Sequence, residues 1–182
     1  MKQTSRTQFA CLSALRVMPM SGYQIVESCK SWFGHFWSES YGQIYPALKK
    51  LEATGDIEKL SPQANQRGNV FKITQKGEET FKAWLHTPAM PPSLRDEYFL
   101  KFFGAGAVPT SVHLEHLQRK RQQLKADLTD TQNSLAHVEK IPHPDKSYWK
   151  LMIECGAIAY EAELAWLDKA EAFLEGHQKN DE

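Results

Sequence analysis

The stretch from Ser38 to Thr74, SESYGQIYPALKKLEATGDIEKLSPQANQRGNVFKIT, changes its hydrophobic period partway along. Up to Gly55 the apolar residues Ile44, Leu48 and Leu51 recur at i, i+4 and i+7, one face of an α-helix. Ser38 stands where an N-cap is expected, and Gly55 where a helix ends on a left-handed residue. Pro46 fits such a helix only within its first two turns. Beyond Gly55 the period falls to two. DIEKLSP and NVFKIT both alternate apolar with polar residues, and the polar tract SPQANQRGN between them carries Pro and Gly. Two short strands joined by such a loop form a β-hairpin.

The flanks complete the unit. Residues 4–17 place Phe9, Leu12 and Leu15 on one stripe of a first helix, which Pro19 stops. Ser21 and Gln24 form a capping box that opens a second helix to about Trp32, with Ile25, Val26 and Cys29 inward, and Gly34 breaks it. Thr74 caps a fourth helix carrying Phe81, Trp84 and Leu85. Three helices, a hairpin and a helix make a winged helix-turn-helix. The next tract, HTPAMPPS, holds three prolines and marks a boundary. The expected division is a winged-helix domain over 1–88 and a helical dimerisation domain over 89–182.

Ser93 with Asp96 or Glu97 opens a helix rich in Phe99, Leu100, Phe102 and Phe103, closed by Gly104, Gly106 and Pro109. From Thr110 to about Lys140 the chain keeps heptad order: Leu117, Leu124, Thr131 and Val138 at one seam position, Leu114, Arg121, Leu128 and Leu135 at the other. After IPHPD a last helix, about Lys146 to Glu175, carries Ile153, Ala157, Tyr160, Leu164, Leu167 and Leu174. At 1.5 Å per residue each helix is about 45 Å long, so the expectation is that the seams close on a second copy. Leu117, Leu124, Leu128, Ile153, Tyr160, Leu164 and Leu167 are the candidate dimer contacts. The fold class is thus mainly α with a small β-hairpin, a winged helix followed by an antiparallel helical dimerisation domain.

Charge divides along the same line. The formal net charge is zero, yet residues 1–88 hold 11 Lys and Arg against 7 Asp and Glu, while residues 89–182 hold 11 against 15. A basic half beside an acidic one suits contact with a polyanion through the first. No apolar run reaches the roughly 20 residues that span a bilayer, and Arg16 interrupts the early FACLSAL stretch, a poor fit to a signal peptide. Cys11, Cys29 and Cys155 are odd in number and widely spaced, which reads as free thiols in the cytoplasm. An enzyme is not expected. No phosphate loop, nucleophile elbow or zinc-type spacing is present, Asp96 and Glu97 point apart on a helix, and only His113 and His116 offer a weak metal pair. Neither cofactor nor metal is expected.

A winged helix acts by placing its third helix in the major groove and its wing on the adjoining backbone or minor groove. With Ile44, Leu48 and Leu51 inward, Ser40, Tyr41, Gln43 and Tyr45 face outward near the amino-terminal end, where base contacts concentrate. Gln43 suits adenine edges, the tyrosines suit thymine methyls or phosphates, and Lys49 and Lys50 suit phosphates. The wing offers Gln66, Arg67 and Asn69 beside Gly68, with Lys72 at its base, and a guanidinium on a polar loop suits a narrow minor groove.

MSGYQIVES, YGQIYPALKKLEATGDIE, FKITQKGEE and PSLRDEYFLKFF together resemble the PadR family of transcriptional regulators. The long C-terminal part is similar to the subgroup that includes the phenolic-acid-responsive repressor and the virulence activator AphA. The resemblance covers nearly the whole chain. It implies a homodimer on a two-fold symmetric double-stranded operator, acting as a repressor rather than an activator, with a small aromatic effector. It also implies that Tyr41, Gln43 and Tyr45 form the recognition face and that Arg67 serves the wing. Trp84, Trp149 and Trp166 are candidates to line an effector pocket, although aromatics at helical spacing are more often core. The alternative function is an adaptor that uses its winged helix to bind protein. The basic first half, the polar helix face and the Arg-bearing wing favour DNA.

Overall fold

The computed structural model describes residues 5–33, 36, 37, 39–60, 68–91 and 95–181. The chain divides into two compact units, Met1–Met90 and Pro91–Glu182.

The first unit opens with α1 (Arg6–Val17), capped by Ser5 and Gln8 in a capping box. The two-residue strand β1 (Met20–Ser21) follows, then α2 (Gly22–Phe33). The expected box at its start is present: Gln24 Oε1 accepts from the Ser21 N–H at 2.9 Å and from the Ser21 hydroxyl at 3.0 Å. Next comes α3 (Tyr41–Thr54), whose N-cap is Ser40. The expected cap, Ser38, lies outside the described residues. Gly55 ends α3 at φ 77°, in the left-handed region, with the Asp56 N–H donating to Leu51 O at 2.9 Å. Pro46 is the sixth residue of the helix and so falls in the second turn, where little of the ladder is lost.

The wing is β2 (Ile57–Lys59) and β3 (Val70–Ile73), antiparallel, with Ile57 opposite Ile73 and Lys59 opposite Phe71. The hairpin is widened by β1, which pairs Met20 with Phe71 and gives a three-stranded sheet in the order β1-β3-β2. A two-residue strand has no period to read, so the sequence shows only the hairpin. Finally α4 (Gln75–Leu85) starts on Thr74, whose hydroxyl accepts from the Gly77 N–H at 3.2 Å.

One core holds these elements together. Leu12 and Leu15 of α1, Ile25, Val26 and Cys29 of α2, Ile44, Leu48 and Leu51 of α3, Ile57 and Phe71 of the sheet, and Phe81 of α4 are all buried in it. Two buried carboxylates lock its edges. Glu39 accepts from Trp37 Nε1 at 2.9 Å and from the Thr7 hydroxyl at 3.2 Å, which fixes the entry to α3 against α1. Asp56 accepts from the Thr80 hydroxyl at 2.7 Å and from Thr54, which fixes the exit from α3 to α4. Both ends of α3 are therefore anchored by buried groups whose hydrogen bonds are made.

The second unit begins with α5 (Glu97–Phe103), capped by Asp96, whose carboxylate accepts from the Tyr98 N–H at 2.8 Å. Ser93, the other expected opener, lies outside the described residues. A single 3-10 turn leads to α6 (Thr110–Val138) and then α7 (Lys146–Asp181). These helices form an antiparallel hairpin. Lys150 meets Glu139 at 2.9 Å near the bend, and Arg121 meets Glu171 at 2.8 Å and also Asp168 towards the far end. Lys120 joins three elements, at 2.9 Å from Asp96 and 2.8 Å from Glu163.

The heptad seams close within this hairpin, which corrects the expectation that they await a second copy. Leu117, Leu124, Ile153 and Leu167 are buried in a single chain, and Leu128, Tyr160 and Leu164 are half-buried. A heptad pattern fixes which face is covered, not whose helix covers it. Among the described residues no helix is long and apolar enough to cross a membrane.

Candidate nucleic-acid interface

The buried and exposed faces of α3 are cleanly separated. Ile44, Ala47, Leu48 and Leu51 are buried, while Tyr41, Gln43, Tyr45, Lys49 and Lys50 are exposed, as is the cap Ser40. Tyr41 is 41% and Tyr45 52% exposed, large values for aromatic rings on a folded unit. The structure thus brings Ser40, Tyr41, Gln43 and Tyr45 together at the amino-terminal turns, with Lys49 further along.

Gln43 has a task that the sequence reading did not assign. Its Oε1 accepts from the Ser40 N–H at 3.0 Å and from the Ser40 hydroxyl at 2.8 Å, closing a capping box. Bidentate reading of adenine needs that same oxygen as acceptor. While the cap is closed, the amide nitrogen is the part of Gln43 left to donate outward.

Among the described residues the wing holds two of its candidates, Asn69 and Lys72. Gln66 and Arg67 lie outside the described residues. Asn69 is exposed beside Gly68, whose φ of 95° is a left-handed turn value. Lys72 is exposed, but its ammonium lies 2.7 Å from Glu58 on the paired strand, so its charge is already met.

Beside α3 lies a set of residues that the sequence reading passed over. Tyr23, 59% exposed on α2, stacks on Tyr41 with ring centroids 6.0 Å apart. The Tyr41 hydroxyl donates to Glu27 at 3.2 Å, and Lys30 both pairs with Glu27 at 2.9 Å and lies 5.9 Å over the Tyr41 ring. The Lys30 hydrogen bond holds the Glu27 carboxyl below its usual range, and partial desolvation followed by the bond to Glu27 raises the Tyr41 phenol. Gly22 opens α2 against Tyr45: a Cβ there would sit 2.8 Å from the ring. The inward stripe of α2 dominated its reading, and the outward Tyr23, Glu27, Lys30 spacing of i, i+4, i+7 was the available signal.

Each of the three candidate tryptophans packs on aromatic rings of its own unit. Trp84 stacks on Phe9 at 4.5 Å in the first unit. In the second unit Trp149 stacks on His143 at 4.4 Å, while Trp166 packs edge-on to Tyr98, Phe99 and Phe102. Trp149 and Trp166 are about 25 Å apart along α7 at 1.5 Å per residue, so they line no common pocket. His113 is buried and donates from Nε2 to Ala105 O at 2.9 Å, a structural role at the start of α6.

A winged helix with an outward polar recognition helix, followed by a long antiparallel helical hairpin, defines a class of winged helix-turn-helix proteins. Residues 11–83 match the transcriptional regulator PadR-like family, and residues 94–175 match the virulence activator alpha C-terminal domain. Over its first unit the chain is thus similar to the PadR-like family of transcriptional regulators, which are not enzymes. It is 27% identical over 177 residues to the negative transcriptional regulator PadR of Bacillus subtilis, covering 92% of this chain and 97% of that one. A PadR-like regulator from Bacillus cereus has the same fold, with a TM-score of 0.80 at 22% identity over 94% of this chain and 99% of the other. The B. subtilis protein has been solved in complex with operator DNA, at 26% identity, a TM-score of 0.73, and coverage of 92% and 98%. It has also been solved in complex with p-coumaric acid, with a TM-score of 0.68 and coverage of 96% and 99%.

Proposed function

We propose that two copies of this chain bind a two-fold symmetric operator, each inserting the amino-terminal turns of α3 into a major groove, and thereby repress transcription. The observation that carries this is the outward cluster of Ser40, Tyr41, Gln43 and Tyr45 on a helix anchored at both ends, with Lys49 behind it. The operator complex of the B. subtilis relative supports the reading. The tyrosines contact thymine methyls or phosphates, Lys49 a phosphate, and the Gln43 amide nitrogen a base acceptor. Gln66, Arg67 and Asn69 carry the wing contact. Lys72 joins them only by leaving Glu58. Residues 1–88 form the DNA-binding domain and 89–182 the dimerisation domain of a cytoplasmic regulator. A small aromatic effector relieves repression, a reading supported by the p-coumaric acid complex of the same relative.

The seam between copies moves to the outer face of α7. Tyr148, Leu151, Cys155, Ile158, Ala162 and Ala165 alternate at spacings of three and four, and every one is exposed. Antiparallel pairing about a point between Gly156 and Ala157 sets Tyr148 across from Ala165, Leu151 across from Ala162 and Cys155 across from Ile158. Each large side chain then meets a smaller one, as interdigitating helices require.

Selection of duplexes from a random-sequence pool tests the function. The wild type should enrich an inverted repeat, and Gln43→Ala should weaken binding to it by about 1–3 kcal/mol while changing binding to random duplex less. Equal losses on both would remove Gln43 from base reading, and no enrichment by the wild type would remove the function.

A further inference from the structure

The α2 stripe of Tyr23, Glu27 and Lys30 needs an explanation that attraction to DNA does not give. It places a carboxylate on the face proposed to meet a polyanion, where an unbalanced negative charge opposes approach. Lys30 cancels that charge at 2.9 Å, so the pair adds no net attraction. What the pair does is hold Tyr41. The phenol donates to Glu27 at 3.2 Å, Tyr23 flanks one ring face with planes 20° apart, and the Lys30 ammonium lies 5.9 Å from the ring centroid. Tyr41 is the first residue of α3 and 41% exposed, outside the buried core cluster, so these surface partners help to set its orientation.

Resting on the DNA-binding reading above, we infer that Glu27 is a positioning residue for sequence recognition, orienting Tyr41 through its hydroxyl. Its carboxylate lowers affinity for DNA in general and raises discrimination between sequences. Two substitutions separate these effects because both remove the charge and only one removes the acceptor. Glu27→Gln keeps an oxygen for the Tyr41 hydroxyl, whereas Glu27→Ala does not.

The probes are the duplex enriched by the wild type and a random-sequence duplex of equal length, measured by fluorescence anisotropy across salt. Both variants should bind random duplex more tightly, with a salt slope steeper by up to about one counterion, since Lys30 is released to a phosphate. Glu27→Gln should keep the wild-type affinity ratio between the two probes. Glu27→Ala should lower that ratio by about three- to tenfold, the range for one lost hydrogen bond. In a Tyr41→Phe background Glu27→Ala should lower it no further, because the tether is already absent. Equal ratios for Glu27→Gln and Glu27→Ala would overturn the inference while leaving DNA binding intact. A wild type that shows no salt-sensitive binding to either probe would overturn the DNA reading and the inference with it.

Discussion

Replacing Ile158 with Asp separates folding from assembly, because this side chain is 65% exposed in a single chain. Burying a whole isoleucine contributes about 1.5–3 kcal/mol, and about two-thirds of that is still available at Ile158 for a partner to claim. In a two-fold dimer the loss occurs twice, so removing it costs roughly 2–4 kcal/mol before the charge is counted. A carboxylate set against the partner's apolar stripe adds to this. At 1.4 kcal/mol per decade, the dimer dissociation constant should rise by at least about thirtyfold. Sedimentation velocity at micromolar concentration reads the effect directly. The monomer should keep its helical circular dichroism, because most of Ile158 lies outside the packing of its own chain. Leu167→Ala provides the contrast. Leu167 is 0% exposed inside the hairpin, so truncation should cost about 2–5 kcal/mol of folding stability. An Ile158→Asp protein that stays dimeric, with an unchanged melting curve, would refute the outer-face seam.

Two further outcomes follow from local geometry. Gly77 stands in the first turn of α4, where an added Cβ would lie 2.1 Å from Asp56 O and 2.8 Å from Ile73 Cγ1. The backbone carbonyl cannot yield as a side chain can, so Gly77→Ala should lose about 3 kcal/mol or more in urea unfolding, against little change for Gly176→Ala, which has open space. A midpoint shift as small as that of Gly176→Ala would contradict the close approach. Thiol reactivity should also divide by burial. Desolvation pushes Cys29 up to about 11 and Cys11 further still, so both stay protonated and unreactive at pH 8. Iodoacetamide should add one group to the native protein, at Cys155, and three in denaturant, with Cys155 reacting faster in the Ile158→Asp monomer than in the dimer. Early modification of Cys11 or Cys29 on mass spectrometry would count against the packed α1–α2 core.

What the sequence disclosed depended on how local the signal was. Helix ends written in a few residues were legible: the box at Ser21 and Gln24, the cap at Thr74, the glycine at 55. The start of α3 was misplaced because two serines compete for it, and only the partner three residues on decides. Ser40 has Gln43 in that position, and Ser38 has Tyr41. Buried sets on α2 and α3 followed from period alone, since Ile25, Cys29, Ile44 and Leu48 had one face to fill. The long helices were harder. Leu117, Leu124 and Leu167 revealed a seam but not its owner, and the second stripe on α7 was masked because Cys155, Ala162 and Ala165 are small and weakly apolar. The Tyr41 tether was invisible for another reason: Glu27 is fourteen residues away, and only the crossing of α2 and α3 brings them together.

In the proposed complex the start of α3 meets double-stranded DNA through a phosphate-contacting, two-copy surface. Lys49, Lys50 and Arg67 from each of two copies would neutralise six phosphates. With a slope of about −0.9 per contact, the affinity of the wild type for its enriched duplex should fall by about a thousandfold between roughly 50 and 200 mM salt. An affinity that stays flat across that range would contradict DNA binding through this surface.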